Sequence, residues 1–219
     1  MFNPIRHWLV TSLILASASA CSTATPLSAE SAPALSSCSG GLIQNERDLS
    51  RFSGCRLVEG DLEITDSTLQ NLDGLAGIRQ VSGRLVVSDN PSLEDLSGLQ
   101  SLESVGSLEI SQNQRLATTS GLDALRSVRE LRVERNPKLI SLGGLSGLER
   151  VHSVRIANNP RVCAQMGLLP DIRDVEELVV TDNAGLSSTD VGELFARART
   201  TPRTTPDTIE TPTLVAASR

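Results

Sequence analysis

The chain has 219 residues, a formal net charge of −6, 39% apolar residues and 2% aromatic residues. Tyr is missing, the only Trp is Trp8, and the Phe residues are Phe2, Phe52 and Phe195. A core must therefore be aliphatic, and the aromatic anchors of common hot spots and the stacking platforms of sugar or single-strand sites are excluded. The acidic balance argues against nucleic acid, since phosphate neutralisation needs clustered cations. Every basic residue but Lys138 is Arg, a bias that fits GC-rich coding and a bacterial source.

Residues 1–20 read as a secretory signal peptide. Arg6 and His7 precede an apolar stretch from Trp8 to Ala16, and the small residues Ser17-Ala18-Ser19-Ala20 precede Cys21. The apolar run falls far short of the roughly 20 residues that span a bilayer. Ala18-Ser19-Ala20-Cys21 is similar to a bacterial lipobox, which implies acylation of Cys21, although Ala18 stands where such boxes most often have Leu. The alternative is ordinary secretion with a free N-terminal Cys21. Residues 21–37 are rich in Ser, Ala, Thr and Pro and read as a flexible tether.

Export permits disulfides. Cys38 and Cys55 both precede the first full repeat. A bond between them would staple the open end of a repeat array, contributing on the order of 3 kcal/mol. Cys163 reads as a buried structural thiol. The one His after the leader, His152, is not placed beside it by any spacing. Cys-x-x-Cys metal spacing is absent, and no cofactor is expected.

From Gly60 to about Leu186 the chain repeats with a period of about 23 residues. Gly-Leu pairs mark it at Gly74, Gly98, Gly121, Gly144 and Gly167. Such a period means a solenoid whose coils bury their apolar rows by stacking. Within each coil a short alternating strand comes first: Leu62/Ile64, Leu85/Val87, Leu108/Ile110, Leu131/Val133, Val154/Ile156 and Leu178/Val180. A turn follows at Asn90, Asn113, Asn136, Asn159 and Asn183, with Ser67 in the first coil. Apolar residues then recur every third position, as at Leu93, Leu96, Leu99, Leu102 and Val105, which suits a chain winding through corners. The Asn side chains are expected to satisfy neighbouring turn backbones. The glycines are expected at positive φ or at close backbone approaches. Six strands at roughly 4.8 Å give a parallel sheet of about 24 Å. Thr119 and Gln165 interrupt one Leu row, and the coil from Val162 to Val175 carries an extra residue near Leu169-Pro170.

After the last coil, Asp190 and Glu193 have capping-box spacing, so residues 188–199 are expected to form a capping helix with Leu194 and Phe195 on the core. Residues 200–219, rich in Thr and Pro, are expected to be disordered.

The exposed strand positions define a candidate binding face: Glu63, Val86, Glu109, Arg132, Arg155 and Val179. Flanking rows are Thr65, Ser88, Ser111, Glu134, Ala157 and Thr181, and Asp61, Arg84, Ser107, Glu130, Ser153 and Glu177. Arg132 and Arg155 are the candidate anchors, and Glu109 is expected to face Arg132 across adjacent strands. Glu109, Glu130 and Glu134 with the two Arg could also be assembled into a polysaccharide-cleaving site, but no aromatic subsite or sharp motif supports it.

The run from Cys55 to Ile64, CRLVEGDLEI, followed by coils of the form GxLxIxxNxxLxxLxGLxxLxxV, resembles the receptor L domain. This is the ligand-binding module of the insulin and epidermal growth factor receptors, also found in exported bacterial proteins. The similarity covers about Cys38 to Leu186. It implies an α/β horseshoe or right-handed parallel β-solenoid, leucine-rich-repeat-like, over 38–187, a Cys38–Cys55 staple, and a non-catalytic binding role. The expected protein is thus an exported, lipid-anchored envelope module that binds an unknown protein or glycan, and no nucleic acid. The alternative is a structural envelope protein with no specific ligand.

Overall fold

The computed structural model describes residues 36–164, 169, 172, 175–198 and 213–217, the last five by backbone alone. The predicted signal peptide, Cys21, the tether up to Leu35, Gln165, the Gly167-Leu168 pair and Pro170 lie outside the described residues, as does the tail apart from 213–217.

The molecule is a parallel β-solenoid of about six turns of ~23 residues. Its one sheet has eight strands in sequence order: β1 (Ser37–Ile43), β2 (Leu57–Thr65), β3 (Gln80–Ser88), β4 (Ser104–Ser111), β5 (Ser127–Glu134), β6 (Arg150–Ala157), β7 (Glu177–Thr181) and β8 (Thr213–Ala217). Every neighbouring pair is parallel. Among the described residues, the backs of the coils are turns and single 3-10 turns at Asp73–Leu75 and Gly143–Leu145, not the α-helices of a horseshoe.

The inner strand rows form as expected. Leu62, Leu85, Leu108, Leu131, Val154 and Leu178 stack in one row, and Ile64, Val87, Ile110, Val133, Ile156 and Val180 in the next, all buried. The every-third-residue positions Leu93, Leu96, Leu99, Leu102 and Val105 are also buried. Each corner turns one aliphatic side chain inward, so the core is a bundle of single-file ladders. Thr119 sits fully buried in the row of Leu72, Leu96 and Leu142, and its hydroxyl has no hydrogen-bond partner.

The asparagine turn is the device that lets coils repeat. Asn90, Asn113, Asn136 and Asn159 are fully buried. The backbone N–H of Asn90 donates to Oδ1 of Asn113 (3.1 Å), that of Asn113 to Asn136 (3.1 Å), that of Asn136 to Asn159 (3.0 Å) and that of Asn159 to Asn183 (2.9 Å). Each Nδ2 donates back to a strand carbonyl of the preceding coil: Ile64, Val87, Ile110, Val133 and Ile156 in turn. Ser67 begins the ladder by donating its N–H and Oγ to Asn90.

A second feature of this turn escaped the sequence reading. The residue before each ladder position is left-handed: Asp66, Asp89, Gln112, Arg135, Asn158 and Asp182, with φ between 50° and 58°. In an extended strand, side chains alternate sides. One left-handed residue breaks that alternation, so Asn90 points inward three positions after the inward-facing Val87. The N–H groups of Asp89, Gln112, Arg135 and Asn158 each donate to the last strand carbonyl of the next coil, at 3.1 Å.

Of the marker glycines, Gly98 and Gly121 have φ of 105° and 104°. A Cβ there would run into the backbone of Leu72 and of Leu96 respectively. Both expected reasons for glycine hold at these two turns.

The ends differ from expectation. Ser37 and Cys38, assigned to the tether and to the first residue of the domain, already lie in β1, a strand hidden by the composition SCSGGLI with its two glycines. A short helix α1 (Glu46–Ser50) follows, capped by Asn45, whose side chain accepts from the N–H groups of Arg47 and Asp48. Leu49 and Phe52 close the first coil, and the Cys38–Cys55 disulfide ties β1 to it, with Cα atoms 5.9 Å apart. At the other end, α2 (Ser188–Arg197) has its capping box at Ser187 and Asp190, three residues earlier than the Asp190–Glu193 pair. Leu194 is buried, and Val191 and Phe195 pack on the core. Part of the tail, 213–217, is not disordered but forms β8, in register with β7 from Glu177↔Thr213 to Thr181↔Ala217. The open edge of β7 supplies unpaired backbone groups that the sequence pattern of the tail does not reveal.

Asn136→Ala removes the acceptor of the Asn113 N–H and the donor to the Ile110 carbonyl, both in the interior. Chemical denaturation is expected to show a loss of roughly 3 kcal/mol, well above the cost of a surface substitution.

Candidate functional site

The outer face of the sheet follows from the same register. Leu42, Glu63, Val86, Glu109, Arg132, Arg155 and Val179 pair successively from β1 to β7 and form one row across the strands. The sequence found this row except for Leu42, which belongs to the unrecognised β1. Leu42 is an exposed large apolar side chain, at 44%. Val86 is half-buried, while Val179 is nearly covered at 8%. The hydroxyl-rich row of Thr65, Ser88, Ser111, Glu134, Ala157 and Thr181 is also in register. In the third row Arg84, Ser107, Glu130, Ser153 and Glu177 pair, but Asp61 does not continue the ladder. There Gly60 is left-handed, and the Asp61 side chain accepts the Arg84 N–H at 2.7 Å instead.

Glu109 faces Arg132 across β4 and β5, as expected, but the two make no ion pair. The Arg132 Nε donates to Glu130 two residues away on the same strand, at 2.7 Å. Arg132 is raised above the ordinary guanidinium value, first by that hydrogen bond, against an opposing loss of hydration, and then by the charges of Glu130, Glu109 and Glu134. Arg155 donates to Glu134 on the neighbouring strand at 2.5 Å, and this carboxylate is only 17% exposed. Both candidate anchors therefore already have carboxylate partners. Glu109 accepts only a 3.3 Å bond from Ser111 Oγ, and Glu63 makes no ion pair or hydrogen bond among the described residues. Spacing on a strand cannot show which of two acids a long Arg side chain selects.

Arg84, Ser107, Leu108, Glu109, Glu130 and Arg132 line a shallow depression of about 70 Å³ near the middle of the face. A wider hollow of about 1100 Å³ lies between α1 and residues 68–74, with walls of mixed polar and apolar surface. Of the carboxylates considered for glycoside cleavage, Glu130 and Glu134 are engaged by Arg132 and Arg155. Cys163 is a half-buried free thiol facing the Ile140 carbonyl, while His152 pairs with Glu176 at 2.9 Å. No group of three potential metal ligands occurs among the described residues, and no described helix is long and apolar enough to cross a membrane.

The coils stack with constant inner rows and a variable outer face, and a comparison of sequences gives their family. The Receptor L domain family model matches residues 54–173, and the chain belongs to that family, whose members are typically non-catalytic ligand-binding modules. No curated protein and no solved structure matches the chain.

The two kinds of acid on the face should separate in denaturation experiments. Glu134→Gln is expected to lower stability by about 1 kcal/mol, because it leaves Arg155 without its partly buried partner. Glu109→Gln is expected to change stability by less than about 0.5 kcal/mol.

Proposed function

We propose that the protein is an exported, non-enzymatic binding module, held at the cell envelope by a lipid on Cys21, that docks a protein or glycan partner on its sheet face. The observation that carries this reading is the contrast between rows. The ladder Asn and the inner aliphatic rows barely change from coil to coil, whereas the outer row runs Leu42, Glu63, Val86, Glu109, Arg132, Arg155. Residues that repeat serve stacking, and residues that vary in register on a rigid sheet are free to encode a partner. The Cys38–Cys55 disulfide supports export, since such bonds persist in oxidising compartments. The lipobox-like Ala18-Ser19-Ala20-Cys21 and the polar tether after it support the anchor.

Intact-mass measurement of the mature protein is expected to show a diacylated Cys21 at the N-terminus; an unmodified Cys21 ends the anchor claim. For the face, Val86→Arg places a charge in its middle without touching the core. Partners recovered from envelope extracts with the wild-type chain are expected to be lost with Val86→Arg and retained with Gln70→Arg, a change away from the sheet. Retention with both variants refutes docking on this face.

A further inference from the structure

The β1–β4 half of the sheet has a pattern of its own. From β1 to β4 the central row alternates apolar, acidic, apolar, acidic: Leu42, Glu63, Val86, Glu109. Both acids lack an ion-pair partner among the described residues, whereas Arg132 and Arg155 are held by Glu130 and Glu134. The register fixes the spacing. Adjacent strands lie about 4.8 Å apart, so Glu63 and Glu109 are rooted about 10 Å from each other on the face, with Val86 midway. The exposed Leu42 continues the stripe one strand beyond Glu63.

Resting on the reading that the sheet is the docking face, we infer that it selects a polypeptide surface carrying two cationic side chains about 10 Å apart with an apolar side chain between them. The cations meet Glu63 and Glu109, and the apolar group covers Val86. A surface that is merely basic gains attraction but not this fit. An acidic surface would meet two carboxylates that no neighbouring Arg neutralises by direct contact. Arg132 and Arg155 act as internal braces of the face, positioning Glu130 and Glu134, and are not the anchors.

Rigid peptides of known spacing can serve as rulers. In an alanine-rich helix, Lys at positions i and i+7 lie about 10.5 Å apart along the axis, and a Leu at i+4 sits between them on the same face. Two controls keep the length and the Leu: one has the same composition but moves the second Lys to i+11, about 16.5 Å away, and the other replaces both Lys with Glu. Fluorescence anisotropy with the mature disulfide-bonded protein, at low and near-physiological salt, is expected to show the i, i+7 peptide binding about tenfold tighter than the i+11 peptide, with the Glu peptide weakest. Glu63→Gln and Glu109→Gln should each weaken the first peptide several-fold, and Glu94→Gln, the same change at an acid outside the sheet, should not, with circular dichroism confirming that each variant is folded. Equal affinity for both Lys spacings, or no loss in either Glu variant, overturns the inference. So does failure of every ruler to bind. In that last case, loss of an envelope partner on Val86→Arg would leave the docking-face reading intact while removing this account of its selectivity.

Discussion

The buried asparagine ladder is the interaction on which the rest of this structure depends. A thin solenoid must turn its chain back into the interior at the end of every strand, and each turn buries backbone groups that no strand partner can reach. Those groups would cost on the order of 1–3 kcal/mol apiece if left bare. Asn answers the need because its amide both accepts and donates: Oδ1 takes the N–H of the preceding turn and Nδ2 reaches a strand carbonyl of the preceding coil. The ladder requires a left-handed residue at each turn, six in all with none of them glycine. Such a conformation costs roughly 1–2 kcal/mol per residue, which the amide bonds and the extra N–H bond to the next coil offset.

A periodic constraint of this kind also sorts residues by purpose. Once the ladder sets the coil length, inner strand positions align to one another and the aliphatic rows become obligatory. The outer rows align with them, apart from Asp61, but lie outside the core cluster. The sheet therefore behaves as a fixed grid on which side chains are placed at multiples of the strand spacing, and selectivity can reside in distances as well as in charge. The ends of the grid are finished by different means: a disulfide, Phe52 and α1 at one, and α2 with β8 at the other.

Much of the fold was legible because repetition reinforces weak signals. One Leu-x-Val pair would be ambiguous, but six in phase with five turn Asn are not. Where repetition stopped, legibility stopped. The β1 segment has two glycines and no second copy of itself, α1 is a single turn and a half, and the strand at 213–217 looks like any short apolar stretch in a polar tail. The cap at α2 was misplaced because Ser187–Asp190 and Asp190–Glu193 have the same spacing, and only backbone geometry distinguishes them. The central row of the face was found for the positions that share the repeat, and missed Leu42 for the same reason that β1 was missed.

The sequence by itself determined the solenoid, its coil length, the inside and outside of the six repeating strands, and the Asn turn, since all of these follow from period and polarity. Only the tertiary structure decided which charges on the outer face are already spoken for. Arg132 reaches along its own strand to Glu130, and Arg155 reaches across to Glu134, leaving Glu63 and Glu109 without a direct ion pair among the described residues. Long side chains choose among several acids within reach according to rotamer, burial and local field, and none of these is encoded in spacing alone. That choice gave both candidate anchors carboxylate partners and left the alternating stripe from Leu42 to Glu109 without direct ion pairs among the described residues.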